Sequence, residues 1–96
     1  MKKRDEVVRT PEELAEFAKS ALAYPELVEV VRTDEGGVVR SPIRCFNLAV
    51  VLLRQKYPRM DSRDVQRLAQ ATRWLGKLRN NYPGKFEEIV SSTIGR

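Results

Sequence analysis

The chain has 96 residues, of which 42% are hydrophobic, and this length predicts a single domain over residues 1–96. Its formal net charge is +5, but residues 1–40 carry seven Lys/Arg against nine Asp/Glu, whereas residues 41–96 carry eleven against four. The second half is therefore expected to meet a polyanion or an acidic protein surface, and the lack of an apolar run of about 18 residues argues against a membrane span.

Side chains for metal binding and nucleophilic catalysis are largely missing. There is no histidine and Cys45 is the only cysteine, which excludes a Ser-His-Asp or Cys-His site and a cysteine-based zinc cluster. Acidic pairs such as Glu12-Glu13 are adjacent, so on a helix their side chains diverge. We therefore expect no enzyme, no metal site and no cofactor. The charged residues 1–6 do not form a signal sequence, which favours a cytoplasmic protein.

The N-terminal third predicts an arm, a strand and a helix. Residues 1–6 are expected to be a flexible arm that enters a short strand at Val7-Val8. The segment TPEE at 10–13 predicts a helix start, with Thr10 as N-cap and Glu13 completing a capping box. Apolar residues at helical spacing then carry this helix to about Ala23; they are Leu14, Phe17, Ala18, Ala21 and Leu22.

A β-hairpin is predicted next. Residues 27–33, LVEVVRT, are rich in β-branched side chains, and DEGG at 34–37 separates them from a second short strand at 38–40. Two strands alone are marginal in water. A third strand, from Val7-Val8 or from another subunit, is therefore expected.

Three more helices are predicted in the second half. Ser41-Pro42 begins a helix over 43–57, whose apolar residues surround nearly its whole circumference and indicate a core helix buried on most sides. Residues 61–81 form a long helix, capped by Asp61 or Ser62, and residues 83–94 a last amphipathic one. The predicted fold class is therefore α+β, a small antiparallel sheet packed with about four α-helices, and not an OB-fold.

The helix over 61–81 has two opposed faces at 100° per residue. A stripe of mostly small, apolar side chains is expected to lie on the core and contains Val65, Leu68, Ala69, Thr72, Leu75 and Gly76. The opposite polar stripe places the only tryptophan among cations and contains Arg63, Arg67, Gln70, Trp74, Lys77 and Asn81. An indole between cations suits an unpaired base between phosphates. The plainer alternative is that Trp74 packs under another element beside solvated charges.

All three tyrosines precede a proline, so each is expected to mark a helix boundary. Alternatively, Tyr57 and Tyr82 extend the stacking surface of Trp74 at the two ends of the long helix. The candidate nucleic-acid-binding residues are Arg44, Arg54, Tyr57, Arg59, Arg63, Arg67, Gln70, Arg73, Trp74, Lys77 and Tyr82.

Three segments resemble the DNA-binding domain of the ThermoDBP family, single-stranded DNA-binding proteins of hyperthermophilic archaea. They are KKRDEVVRTPEELAEFAKSAL, VEVVRTDEGGVVRS and WLGKLRNNYPGKF, and the resemblance spans nearly the whole chain. It implies a non-OB α+β domain whose cleft accepts bases between basic flanks. The implied aromatics are Trp74, Tyr57 and Tyr82, and the implied flanks are Arg59, Arg63, Arg67, Arg73 and Lys77. The resemblance also implies a homodimer, because family members dimerise through a C-terminal coiled coil. No heptads precede Arg96, so the chain departs from the family at this point and the homodimer is left open.

These patterns predict a protein that binds single-stranded DNA, or RNA, with little sequence preference. One alternative is a small helical protein-interaction or assembly subunit, whose basic face docks an acidic partner or lines a nucleic-acid channel inside a larger assembly. Another is a duplex regulator in which Gln70, Arg63 and Arg67 read base edges, although an indole in that row suits stacking better.

Overall fold

The computed structural model describes residues 9–33 and 40–94. All the regular structure in these two ranges is helical, and no strand occurs in them. None of the helices in these ranges combines the length and the apolar character needed to cross a lipid bilayer. The six helices are α1 (Pro11–Phe17), α2 (Lys19–Leu22), α3 (Pro25–Arg32), α4 (Pro42–Lys56), α5 (Ser62–Asn81) and α6 (Pro83–Ile94).

The helix on which the others pack is α5, which contacts α1, α2, α3, α4 and α6. Thr72 is the one polar residue in its buried face, and its hydroxyl donates a 2.8 Å hydrogen bond to the carbonyl of Leu68. The predicted apolar stripe is confirmed, because each of its members is buried. The full set of buried residues is Val65, Leu68, Ala69, Ala71, Thr72, Leu75, Gly76 and Leu78.

Helix α4 packs tightly on α5 at Gly76. A Cβ atom placed on Gly76 would lie 3.1 Å from the Sγ atom of Cys45 and 3.5 Å from the Cα atom of Pro42. The glycine therefore lets the first turn of α4 sit directly against α5. Cys45, Ala49 and Leu53 form the buried face of α4.

The prediction that α4 is the core helix is wrong. Only one side of α4 is buried, and the side chains of Ile43 and Val51 are 57% and 53% exposed. Large apolar side chains make α4 hydrophobic, but Phe46, Leu48, Val50 and Leu52 are only half-buried against the core. The small residues of α5 allow close packing on more sides, so α5 takes the central position.

The prediction of a strand over 27–33 is also wrong, because Pro25–Arg32 forms α3. Pro25 occupies the first turn, and the polar residues Glu26, Glu29 and Arg32 recur every three positions, which is a helical period. The helix buries Leu27, Val28, Val30 and Val31. Burying one such side chain stabilises the fold by about 1.5–3 kcal/mol, which exceeds the few tenths of a kcal/mol by which valine disfavours a helix.

The remaining parts of the predicted sheet, Val7-Val8 and residues 34–39, lie outside the described residues, as does the predicted arm over 1–6. Arg40 is described and is not in a strand. An α+β fold with an antiparallel sheet, which the ThermoDBP resemblance also implies, is therefore wrong for 9–33 and 40–94.

The other predicted helices are confirmed with small changes. The first begins at its capping box, where the Glu13 amide donates to Thr10 Oγ1 at 3.1 Å and the Thr10 amide donates to Glu13 Oε1 at 3.0 Å. It is interrupted at Ala18, which divides it into α1 and α2. Ser41 caps α4 as predicted by accepting from the Arg44 amide at 3.3 Å.

Both ends of α3 are held by side chains from other parts of the chain. At its C-terminal end, Arg79 Nη1 donates to the Val31 carbonyl at 3.2 Å, and Arg40 donates to the Val30 carbonyl. These cations meet the negative end of the helix dipole. Arg79 falls on the apolar stripe of α5, and this contact explains how a charged residue is accommodated there.

At the N-terminal end of α3, the Tyr57 hydroxyl donates to the Glu26 carboxylate, and Lys56 Nζ lies 3.6 Å from the same group. The Tyr57 ring packs edge-on against Tyr24, with centroids 5.9 Å apart. The hydrogen bond from Tyr57 is the main cause that lowers the pKa of Glu26 below its ordinary value of 4.5, and the Lys56 charge adds to it. The same bond raises the pKa of Tyr57.

The lowered pKa of Glu26 makes the stability of the protein depend on pH. Its carboxylate stabilises the folded state at neutral pH, and this contribution is lost as the pH falls below about 4.5. Tyr57→Phe should therefore lower the free energy of unfolding at pH 7, and the difference from the unmodified protein should shrink at pH 3. Urea unfolding at both pH values measures this, with Tyr24→Phe as the control. An equal difference at both pH values would contradict the assignment.

The contact between Gly76 and Cys45 predicts a coupling between these residues. Gly76→Ala should destabilise the protein by about 1 kcal/mol, because overpacking against the thiol outweighs the better helix propensity of alanine. In a Cys45→Ala background the same change should be neutral or stabilising. A double-mutant cycle by urea unfolding measures the coupling. Gly84→Ala is the control, since its added Cβ would lie more than 4 Å from every atom beyond its chain neighbours and the backbone of its own helix. Additive effects at Gly76 and Cys45 would disprove the coupling.

Candidate nucleic-acid interface

An aromatic pair lies where α1 crosses α5. The ring centroids of Phe17 and Trp74 are 5.0 Å apart and their planes are tilted by 40°. Phe17 is 42% exposed, whereas Trp74 is half-buried and packs against the core. The indole is therefore neither sealed in the interior nor isolated in solvent, and the two rings together form a partly exposed apolar surface.

Three cations surround this pair. The guanidinium carbon of Arg9 is 5.0 Å from the Phe17 centroid and 5.5 Å from the Trp74 centroid. From α5, the guanidinium carbon of Arg73 lies 5.6 Å and the Nζ atom of Lys77 lies 5.8 Å from the Trp74 centroid. Each such contact is worth about 0.5–1 kcal/mol at an exposed site. We call these five residues, Arg9, Phe17, Arg73, Trp74 and Lys77, the aromatic cluster.

The polar stripe of α5 continues from the aromatic cluster toward the N-terminus of the helix. Arg63, Arg67 and Gln70 are exposed on it, and at 1.5 Å per residue the stripe is about 21 Å long between Arg63 and Lys77. Arg67 pairs with Asp64 at 2.9 Å, but these side chains are 69% and 48% exposed. An exposed pair of this kind is worth at most about 1 kcal/mol, so Arg67 can exchange the carboxylate for another anion.

The structure places Tyr82 beside the aromatic cluster and Tyr57 away from it. The Tyr82 hydroxyl donates a 2.9 Å hydrogen bond to the carbonyl of Arg9. Tyr57 instead contacts Glu26 and Tyr24 near the N-terminal end of α5. Trp74 is twelve residues into α5, about 18 Å from that end. The predicted stacking surface therefore does not extend to Tyr57.

The other predicted residues are spread over the surface. Arg44 is exposed in the first turn of α4, Arg54 is exposed in its last turn, and Arg59 is exposed in the connection to α5. Within residues 9–33 and 40–94, the cations over the Phe17 and Trp74 rings are Arg9, Arg73 and Lys77, and Arg54 and Arg59 do not contact these rings. From the predicted set, the structure thus brings together Arg73, Trp74, Lys77 and Tyr82.

Sequence reasoning missed Arg9 and Phe17. The helical spacing of α1 predicts a core position for Phe17, but its ring lies at the surface against Trp74. Arg9 directly precedes the capping box of α1, a position that gives no signal of binding. The packing of α1 on α5 connects Phe17 with Trp74, and the hydrogen bond from Tyr82 holds Arg9 at the same place.

Comparisons with models of protein families, with curated proteins and with solved structures give no match for this chain. Within residues 9–33 and 40–94, no group of three or more Cys, Asp or Glu side chains is placed to hold a metal ion. The geometry of the aromatic cluster and the polar stripe is therefore the basis for inferring a function.

Proposed function

We propose that the protein binds single-stranded DNA, with little sequence preference, along the polar stripe of α5 and at the aromatic cluster. The observation that carries this proposal is the partly exposed Phe17–Trp74 pair with three cations between 5.0 and 5.8 Å from its ring centroids. A nucleotide has the complementary chemistry, since its base stacks on an aromatic surface while its phosphates pair with the cations.

The aromatic surface favours an unpaired strand over a duplex. A base must leave its stack before it can lie on a protein ring, and this is already the case in a single strand. All four bases have a π face, so stacking discriminates little between sequences. RNA also presents base π faces and phosphates, so single-stranded RNA should compete with oligo-dT for the same surface.

The charge distribution supports the same ligand. Arg63 and Arg67 extend the positive potential from the aromatic cluster along α5, and residues 41–96 carry an excess of seven positive charges. Because these cations are exposed or half-buried, phosphate binding would displace water and counterions and not break a buried pair. Affinity should therefore fall steeply with salt.

The direct test is a titration with oligo-dT followed by tryptophan fluorescence. Trp74 is the only tryptophan in the chain, so its emission reports on the aromatic cluster alone. We expect quenching that saturates with oligo-dT, stronger competition by single strands than by duplex DNA, and weak competition by poly-glutamate. Equal competition by the duplex would overturn the single-strand preference, and equal competition by poly-glutamate would favour docking of an acidic protein instead.

Removing either ring should weaken binding without unfolding the protein. Phe17→Ala and Trp74→Ala should each cost about 1–3 kcal/mol of binding free energy if a base stacks on the pair. Fluorescence anisotropy of labelled oligo-dT measures the affinity, and circular dichroism verifies the fold. The control is Val51→Ala, which removes an exposed apolar side chain from α4 and should leave the affinity unchanged. Unchanged affinity in both ring variants would contradict stacking.

Removing cations should change the salt dependence in a position-dependent way. In Arg73→Gln/Lys77→Gln, the slope of log K against log salt should become less steep by about 0.7 for each phosphate that the variant no longer neutralises. Arg59→Gln is the matched control, because it removes one exposed charge outside the aromatic cluster. A slope that flattens as much per charge in Arg59→Gln would show that the cations act only through net charge.

A further inference from the structure

The aromatic cluster contains one side chain that does not belong to a helix. Arg9 precedes the N-cap Thr10, whereas the cluster's other cations are on α5. A residue outside a helix is expected to be more mobile than one within it unless other contacts hold it. Other contacts must therefore hold Arg9 so that its guanidinium lies over both rings.

One of these contacts comes from Tyr82. This residue ends α5, its ring is half-buried against the core, and its hydroxyl donates to the Arg9 carbonyl at 2.9 Å across 73 residues of sequence. On the other side of Arg9, the capping box fixes the backbone of Thr10. The Arg9 backbone is thus held from both directions, while its side chain points to the aromatic pair.

We infer that Arg9 contacts the phosphate of a nucleotide whose base stacks on Phe17 and Trp74, and that Tyr82 is the positioning residue that holds Arg9 ready for this contact. The inference rests on the proposed function and deepens it, because it identifies the ligand of the cluster as one nucleotide unit, a base with its adjacent phosphate. It also makes the site depend on the junction between α5 and α6. The energetic reason is preorganisation: a cation whose backbone is already fixed beside the rings loses less conformational freedom when it moves from the ring face to the phosphate of the bound strand.

Tyr82→Phe tests this inference, since it keeps the ring and removes only the hydroxyl. We expect oligo-dT affinity to fall about three- to tenfold, the loss that corresponds to one hydrogen bond. The salt slope should become less steep by about 0.7, as in Arg9→Gln, if one phosphate is no longer neutralised. Tyr24→Phe is the matched control, because it removes a tyrosine hydroxyl outside the cluster and should leave both quantities unchanged.

A double-mutant cycle separates positioning from a merely structural role. In an Arg9→Gln background, Tyr82→Phe should cause no further loss of affinity, because there is no longer a cation to position. An equal loss in both backgrounds would overturn the inference, since Tyr82 would then act through the fold or by direct contact. Unchanged affinity in Tyr82→Phe would overturn it as well.

The emission of Trp74 in the free protein provides a readout that needs no nucleic acid. Tyr82→Phe and Arg9→Gln should shift this emission in the same direction, because both remove the Arg9 guanidinium from above the indole. If the Trp74 emission is unchanged in both variants, the positioning role of Tyr82 is overturned. If the unmodified protein fails to bind oligo-dT, the proposed function and the assigned ligand both fail. If the unmodified protein binds oligo-dT and Arg9→Gln leaves the affinity unchanged, only the proposed contact between Arg9 and the phosphate is overturned.

Discussion

The packing of small side chains on the inner face of α5 determines the arrangement of the described chain. Ala69, Ala71 and Gly76 are buried there, and Gly76 brings the Cys45 thiol of α4 to within 3.1 Å of where a Cβ would be. Because neighbouring helices approach this face closely, α5 lies at the centre although it carries many charges. The opposite face is left for solvent, so the helix that organises the core also presents the polar stripe.

This double role gives the proposed binding surface a rigid base. The backbone of Trp74 belongs to the helix that contacts the other five of the described chain, and its ring rests on Phe17 and on the core. The surrounding cations are held more weakly, since an exposed cation–π contact is worth about 0.5–1 kcal/mol. A fixed aromatic surface with exchangeable cations suits a ligand whose bases stack and whose phosphates compete for the charges.

The success of the sequence predictions followed the strength of the local signals. Thr10-Pro11 and Ser41-Pro42 combine an N-cap with proline in the first turn, and both helices begin there. The segment after Tyr24 has no side-chain cap, and its valines suggest a strand. Its helical period in Glu26 and Glu29 is the better guide, because burial of the apolar face outweighs the small intrinsic preference of valine.

The two faces of α5 are readable from the order of residues alone, because a helix repeats every 3.6 residues wherever it lies in a fold. That periodicity places Trp74 among the cations of one face, and it places the small residues on the opposite face. Which helix occupies the centre, and that Arg9 and Phe17 join Trp74, depend on contacts between distant parts of the chain, such as the bond from Tyr82 to Arg9 across 73 residues. Local patterns carry no information about such contacts, since they arise from how the helices fill space together.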